Sequence, residues 1–188
     1  MAENEFDNAQ TPVGGAAPQG AEAPQAGVLA QYVKDLSFEN PNAPARMQNP
    51  SGAKPAIDVS VNVGVRKMND EMYEVDLKIS AKAENVSESG ERQVAFVAEL
   101  SYGTLFGIRN VEEQAIKPFL LIQAPTLMFP FARRIIADAT RDGGFPPLLL
   151  EPINFEALYQ QQQAQEAAGG SAATEQNDSD APAPINLN

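Results

Sequence analysis

The sequence predicts an α+β fold: a four-stranded antiparallel sheet with C-terminal helices packed on one face. Three observations lead there. The first half of residues 28–163 alternates apolar and polar residues with period two, which gives a strand one buried and one wet face. The second half switches to helical spacing, and strands followed by helices form segregated layers. A length of 188 residues suits one domain with a real core and not comfortably two.

The first strand is predicted over Val28–Glu39, with Tyr32, Leu36 and Phe38 on one face and Val33, Asp35, Ser37 and Glu39 on the other. Pro41, Pro44, Pro50 and Pro55 then make Asn40–Pro55 an irregular crossover. Ile57–Val65 alternates strictly, its Ile and Val residues set against Asp58, Ser60, Asn62 and Gly64. A polar turn, Met68–Glu71, leads into a third strand with Tyr73, Val75, Leu77, Ile79, Ala81 and Ala83 on one face. After a loop around Ser87–Gly90, the fourth strand turns Val94, Phe96, Ala98, Leu100 and Tyr102 inward and Val97 and Glu99 outward.

Asn110–Gln123 reads as a helical segment interrupted near Pro118 and ended by Ala124-Pro125. In the next helix Pro130 falls in the first turn or makes a kink. Leu127, Phe131, Ile135 and Ala139 recur at helical spacing and are its expected apolar face. Arg141 suits the negative end of the helix dipole, and Gly143-Gly144 permit a left-handed exit. Pro146 and Pro147 forbid a restart, so Leu148–Leu150 run extended. Asn154 offers an N-cap for a last helix whose apolar face is Phe155, Leu158 and Tyr159. So much apolar surface needs a sheet, or another subunit, to cover it.

Composition narrows the chemistry. There is no Cys and no His, which removes disulfides, thiolates, the commonest metal ligand and the commonest general base. Net charge is −12. Residues 1–27 carry Glu3, Glu5, Asp7 and Glu22, and residues 160–188 carry Glu166, Glu175, Asp178 and Asp180, neither with any base. Setting those eight aside leaves 17 acids against 13 bases, a middle near −4. No basic stripe is available for phosphate, so a basic protein is a better partner than nucleic acid.

The tails, 1–27 and 164–188, are rich in Ala, Gln, Pro and Gly and are expected to be disordered, although Gln160–Gln165 could extend the last helix. The N-terminus has no signal-peptide pattern, and no apolar run approaches the roughly 18–20 residues of a membrane span. The expectation is a cytoplasmic protein. No GxxxxGK[ST] spacing is present, so no phosphate loop and no bound ATP are expected. Adjacent acids such as Glu112-Glu113 and Asp70-Glu71 read as solvated pairs, and no metal or cofactor is predicted.

Two blocks, YVKDLSFENPNAP (Tyr32–Pro44) and LMFPFARRIIADATRDGGFPPLLLEPINFEALY (Leu127–Tyr159), together with AFVAEL (Ala95–Leu100), closely resemble the SecB family of bacterial protein-export chaperones. The likeness spans roughly residues 28–163. It implies a homotetramer, a dimer of dimers with helices packed between the dimers. It also implies hydrophobic grooves for unfolded precursor proteins and delivery of that cargo to the SecA translocation ATPase.

By the same resemblance, SecA docks on an acidic sheet face whose matching positions are Asp35, Glu39, Val97 and Glu99; Val97 stands where the family commonly has Leu. Ala98, Leu100 and Tyr102 match positions that affect assembly or cargo holding, and they also read as ordinary core. Candidates for the groove are Met47 in the crossover, Val59 and Val61 in the second strand, and Phe155, Leu158 and Tyr159 in the last helix. Such a groove needs exposed apolar and aromatic surface, gaining roughly 25 cal/mol per Å² covered. The family often has a Trp in the crossover, and this chain has none. The expected function is an ATP-independent holdase, not an enzyme. Two rivals are a SecB-like chaperone of a toxin–antitoxin pair and a carboxylate-based hydrolase, the latter needing two converging acids of unequal pKa.

Overall fold

The computed structural model describes residues 23–44, 55–86, 90–169 and 185–187. Its four long strands are β1 (Gln25–Glu39), β2 (Ala56–Lys67), β3 (Met72–Val86) and β4 (Arg92–Arg109), joined by a three-residue β5 (Ile185–Leu187). They form one antiparallel sheet in the order β1-β4-β3-β2-β5. The polar turn closes the β2–β3 hairpin as expected. The N–H groups of Met68 and Asn69 both donate to the Met72 carbonyl (2.9 and 3.2 Å), and Asn69 Oδ1 accepts the Glu71 N–H at 3.0 Å.

Beside the predicted strand–helix order, β1 departs from the expected alternation. Its register on β4 slips between Val33 and Asp35, a bulge that inserts one residue and exchanges faces. Val33 therefore stands opposite Tyr102, Leu36 opposite Leu100 and Phe38 opposite Ala98, on the helix side. Tyr32 stands opposite Gly103 on the outer face, not with Leu36 and Phe38. The opposed glycine makes room, since a Cβ at position 103 would lie 2.7 Å from the Tyr32 ring.

The helical part is continuous where a break was expected. Helix α1 (Glu113–Pro118) runs through a π-type turn (Phe119–Gln123) into α2 (Ala124–Asp142). Pro125 lies in the first positions of α2, directly after the π-type turn. Pro118 closes α1 just before the wider turn, and Pro130 is accommodated inside α2. The resulting 30-residue stretch is long and apolar enough to cross a membrane by length and composition, with a mean hydropathy of 1.3 in its best 18-residue window. That corrects the expectation of no such run. Here one row of its residues packs on β3 and β4, and 33% of that window is buried.

The face that α2 buries is not the expected one. Ala124, Met128, Ala132, Ile136 and Thr140, one i, i+4 row, are all 0% exposed. Of the expected row, Leu127 (52%) and Phe131 (46%) are exposed, while Ile135 is partly buried against the core and Ala139 is partly covered. Small residues alternate with large ones in the buried row, so the helix sits close to the sheet and the large side chains fill the gaps. Below them lie Val75, Leu77, Ile79, Ala83, Phe96 and Phe106, all buried.

Gly144 (φ 83°) makes the left-handed exit, and its N–H donates to the Arg141 carbonyl at 3.0 Å. Gly143 serves packing instead: a Cβ there would come within 2.1 Å of the Phe38 ring. Phe38, Phe96 and Phe145 cluster with centroids 4.7–6.1 Å apart. Buried Thr140 donates through Oγ1 to the Ile136 carbonyl (3.0 Å) and accepts the Leu148 N–H (2.9 Å), pinning the extended run to α2. Asn154 Oδ1 accepts the Ala157 N–H at 3.0 Å and caps α3 (Phe155–Gly169).

The element bounds also revise the expected tails. Gln25–Gly27 belong to β1, α3 continues to Gly169, and Ile185–Leu187 pair with β2. The disorder expected for residues 1–22 and 170–184 lies outside the described residues.

Candidate functional site

The outer face of the sheet holds two groups of polar residues. At one end, Asp35 pairs opposite Ser101, Ser37 opposite Glu99 and Glu39 opposite Val97. Directly opposed residues share a face, so Asp35, Glu39, Val97 and Glu99 form one patch across β1 and β4. The three carboxylates are exposed and Val97 is partly covered. Glu99 Oε1 accepts a long 3.4 Å bond from Ser80. On the β3 side, Lys78 and Lys82 face Ser101 and Val97, so the acidic character is strongest towards the β1 edge.

At the other end is a network that sequence reasoning missed. The Tyr32 hydroxyl donates to Glu74 Oε1 at 2.5 Å, and Arg66 binds Glu74 Oε2 at 2.7 Å. Lys34 Nζ lies 3.1 Å from Asp76 and 3.4 Å from Glu74, and Ser101 Oγ donates to Asp76 at 2.6 Å. Glu74 is only 5% exposed, and a buried charge persists when paired and hydrogen-bonded. The Tyr32 hydrogen bond, with Lys34 and Arg66, holds its pKa below the ordinary value against the opposing effect of burial. Burial likewise opposes the charge on Lys34, yet Asp76 and Glu74 together raise its pKa. Strict alternation would have hidden this network, because the bulge brings Tyr32 to the outer face.

The remaining candidates divide. Ala98, Leu100 and Tyr102 are buried on the helix side. Val61 and Phe155 are core residues rather than groove-lining ones: Val61 pairs opposite Ile79, and Phe155 meets Phe129 edge-on at 6.1 Å. Val59, Leu158 and Tyr159 are only partly buried. Met47 lies outside the described residues.

Large apolar side chains are instead exposed on β1 (Val28, Leu29, Val33, Leu36) and α2 (Leu127, Phe131), with Leu149 in the following loop. The second apolar row of α2 was the available signal; what it could not tell was which row faced the sheet. Among the described residues, no group of three or more His, Cys, Asp or Glu is placed to hold a metal ion.

The family model for SecB, preprotein translocase subunit SecB, matches residues 19–166. The chain belongs to the SecB family. It is 49% identical over 180 residues to the protein-export protein SecB of Maricaulis maris, covering 96% of this chain and 99% of that one. It is 50% identical over 158 residues to the SecB of a Bradyrhizobium strain (84% and 94% covered) and 54% over 145 residues to that of Rhizorhabdus wittichii (77% and 83%). Among solved structures it resembles a SecB-like chaperone of Mycobacterium tuberculosis in complex with an antitoxin peptide. That likeness has a TM-score of 0.54 at 18% identity, covering 68% of this chain and 90% of that one, and it supports the fold. As a SecB-family protein, the chain is a protein-export chaperone.

Proposed function

We propose that this SecB-family chaperone is an ATP-independent holdase. It binds unfolded secretory precursors in the cytoplasm, keeps them competent for translocation and hands them to the SecA ATPase. The observation that carries the reading is the apolar surface left uncovered on a single subunit: Leu127 and Phe131 on α2, and Val28, Leu29, Val33 and Leu36 on β1. Patches of this kind mark interaction sites.

Assembly takes part of that surface, and cargo contact also draws on partly buried residues. The α2 row packs between the dimers of a homotetramer, a dimer of dimers. Partly buried Val59, Leu158 and Tyr159, with Met47 of the crossover, contribute to cargo contact. Weak apolar contacts along one extended chain combine through effective concentration, so loose sequence demands still give firm holding. No bond is made or broken.

SecA docks on the outer patch of Asp35, Glu39, Val97 and Glu99, where clustered carboxylates favour a basic partner and make the encounter salt-sensitive. The test of the holdase reading is gel filtration after mixing with a reduced, unfolded precursor. Co-elution is expected, and a precursor that elutes alone or aggregates sinks it.

A further inference from the structure

β1 carries a single base, Lys34, and its neighbour in the chain is Asp35 of the acidic patch. The register slip between Val33 and Asp35 makes Lys34 the extra residue of a bulge. Asp35 stands opposite Ser101 on the outer face, and Lys34 reaches outer-face carboxylates of β3. Both side chains therefore lie on one face, where a direct pairing would cancel the Asp35 charge. That pairing is not made. Lys34 Nζ lies 3.1 Å from Asp76 Oδ2 and 3.4 Å from Glu74 Oε1, and among the described residues Asp35 forms no ion pair.

The route Lys34 takes is unusual, because β4 lies between β1 and β3. Crossing it means spanning two strand spacings, roughly 10 Å. Gly103 opens the way. It stands opposite Asp76 on β3, and a Cβ at that position would lie 3.0 Å from Lys34 Cδ. Ser101 Oγ donates to Asp76 Oδ1 at 2.6 Å, leaving Oδ2 for Lys34. Arg66 in turn holds Glu74 Oε2 at 2.7 Å.

We propose that Glu74 and Asp76 are positioning residues for the docking patch: they draw the Lys34 ammonium across Gly103 and away from Asp35, which then meets a basic partner with its charge uncompensated. The role rests on the reading that SecA docks on Asp35, Glu39, Val97 and Glu99. Clustered carboxylates attract a basic surface only in so far as no neighbouring cation neutralises them.

The test uses Asp76→Asn, which keeps the side chain's size and an oxygen for Ser101 but gives up the charge that holds Lys34. A paired ammonium stays charged and acylates slowly. An amine-reactive ester, with the products mapped by mass spectrometry, should therefore modify Lys34 about two- to fivefold faster in this variant, with Lys78 as the internal reference. SecA binding at low salt should weaken about two- to fivefold. Adding Lys34→Gln should restore it. Adding Lys78→Gln instead, the same charge change at an exposed residue opposite Ser101, should not. Unchanged acylation of Lys34 overturns the tether. Equal rescue by both second substitutions reduces the effect to net charge and overturns the positioning role, as does unchanged SecA affinity in a variant whose Lys34 acylates faster. A wild-type chain that binds no SecA overturns the docking reading and the positioning role together.

Discussion

The two apolar rows of α2 lie side by side on one helix and differ greatly in fate. Ala124, Met128, Ala132, Ile136 and Thr140 are sealed against the sheet, while Leu127 and Phe131, one step around the helix, stand half exposed. The sealed row is built of alternating small and large residues, so it brings the helix close. The open row is built of bulky ones that would hold the helix away from the strands. Inward surface sets the stability of the subunit, and outward surface is left uncovered by it.

The sharpest way to break that contrast is Ile136→Ala. Deleting a fully buried aliphatic group should cost about 2–5 kcal/mol, read from chemical denaturation; a cost below about 1 kcal/mol would show that the row is not the core.

Glu74 tests the contrast from the opposite side, being an outward charge that is nevertheless buried. Its folded pKa is lowered, chiefly by the Tyr32 hydrogen bond. Its contribution is therefore complete above the unfolded value and is lost as pH falls through the folded one. Wild type should lose stability on acidification below about pH 4.3, and Glu74→Gln should show a lower plateau with a shallower acid slope. Parallel slopes in urea midpoints across that range would remove the assignment.

Phe131→Gln should change the subunit's own stability by less than about 1 kcal/mol, while light scattering shows a mass below four subunits. Retention of the full tetramer would mean that this row is not the contact. Asp35→Lys has the smallest expected effect on folding, within about 0.5 kcal/mol. It should weaken SecA binding at low salt and leave cargo capture intact; equal SecA affinity would break the docking assignment.

Much of this molecule was legible in its residues. Period-two runs marked β2, β3 and β4, and Asn154 marked the start of α3. The acidic positions Asp35, Glu39 and Glu99 were placed on one face, as the register has them. What stayed hidden depended on neighbours. A bulge in β1 has no local signature in Val33-Lys34-Asp35, so the faces of Tyr32 and Val33 were exchanged. Helical spacing identified a row on α2 but not its direction, because the deciding fact is how closely small residues let two layers approach. Val61 and Phe155 looked like groove residues because aromatic and aliphatic side chains serve a core and a binding surface alike.

The polar cluster around Glu74 has a mechanical consequence. Its members come from every long strand: Tyr32 and Lys34 from β1, Arg66 from β2, Glu74 and Asp76 from β3, Ser101 from β4. Sliding any strand past its neighbour by a residue would break one of these ion pairs or hydrogen bonds, most of which converge on the nearly buried Glu74 carboxylate. The four long strands are thereby cross-braced on the outer face of the sheet.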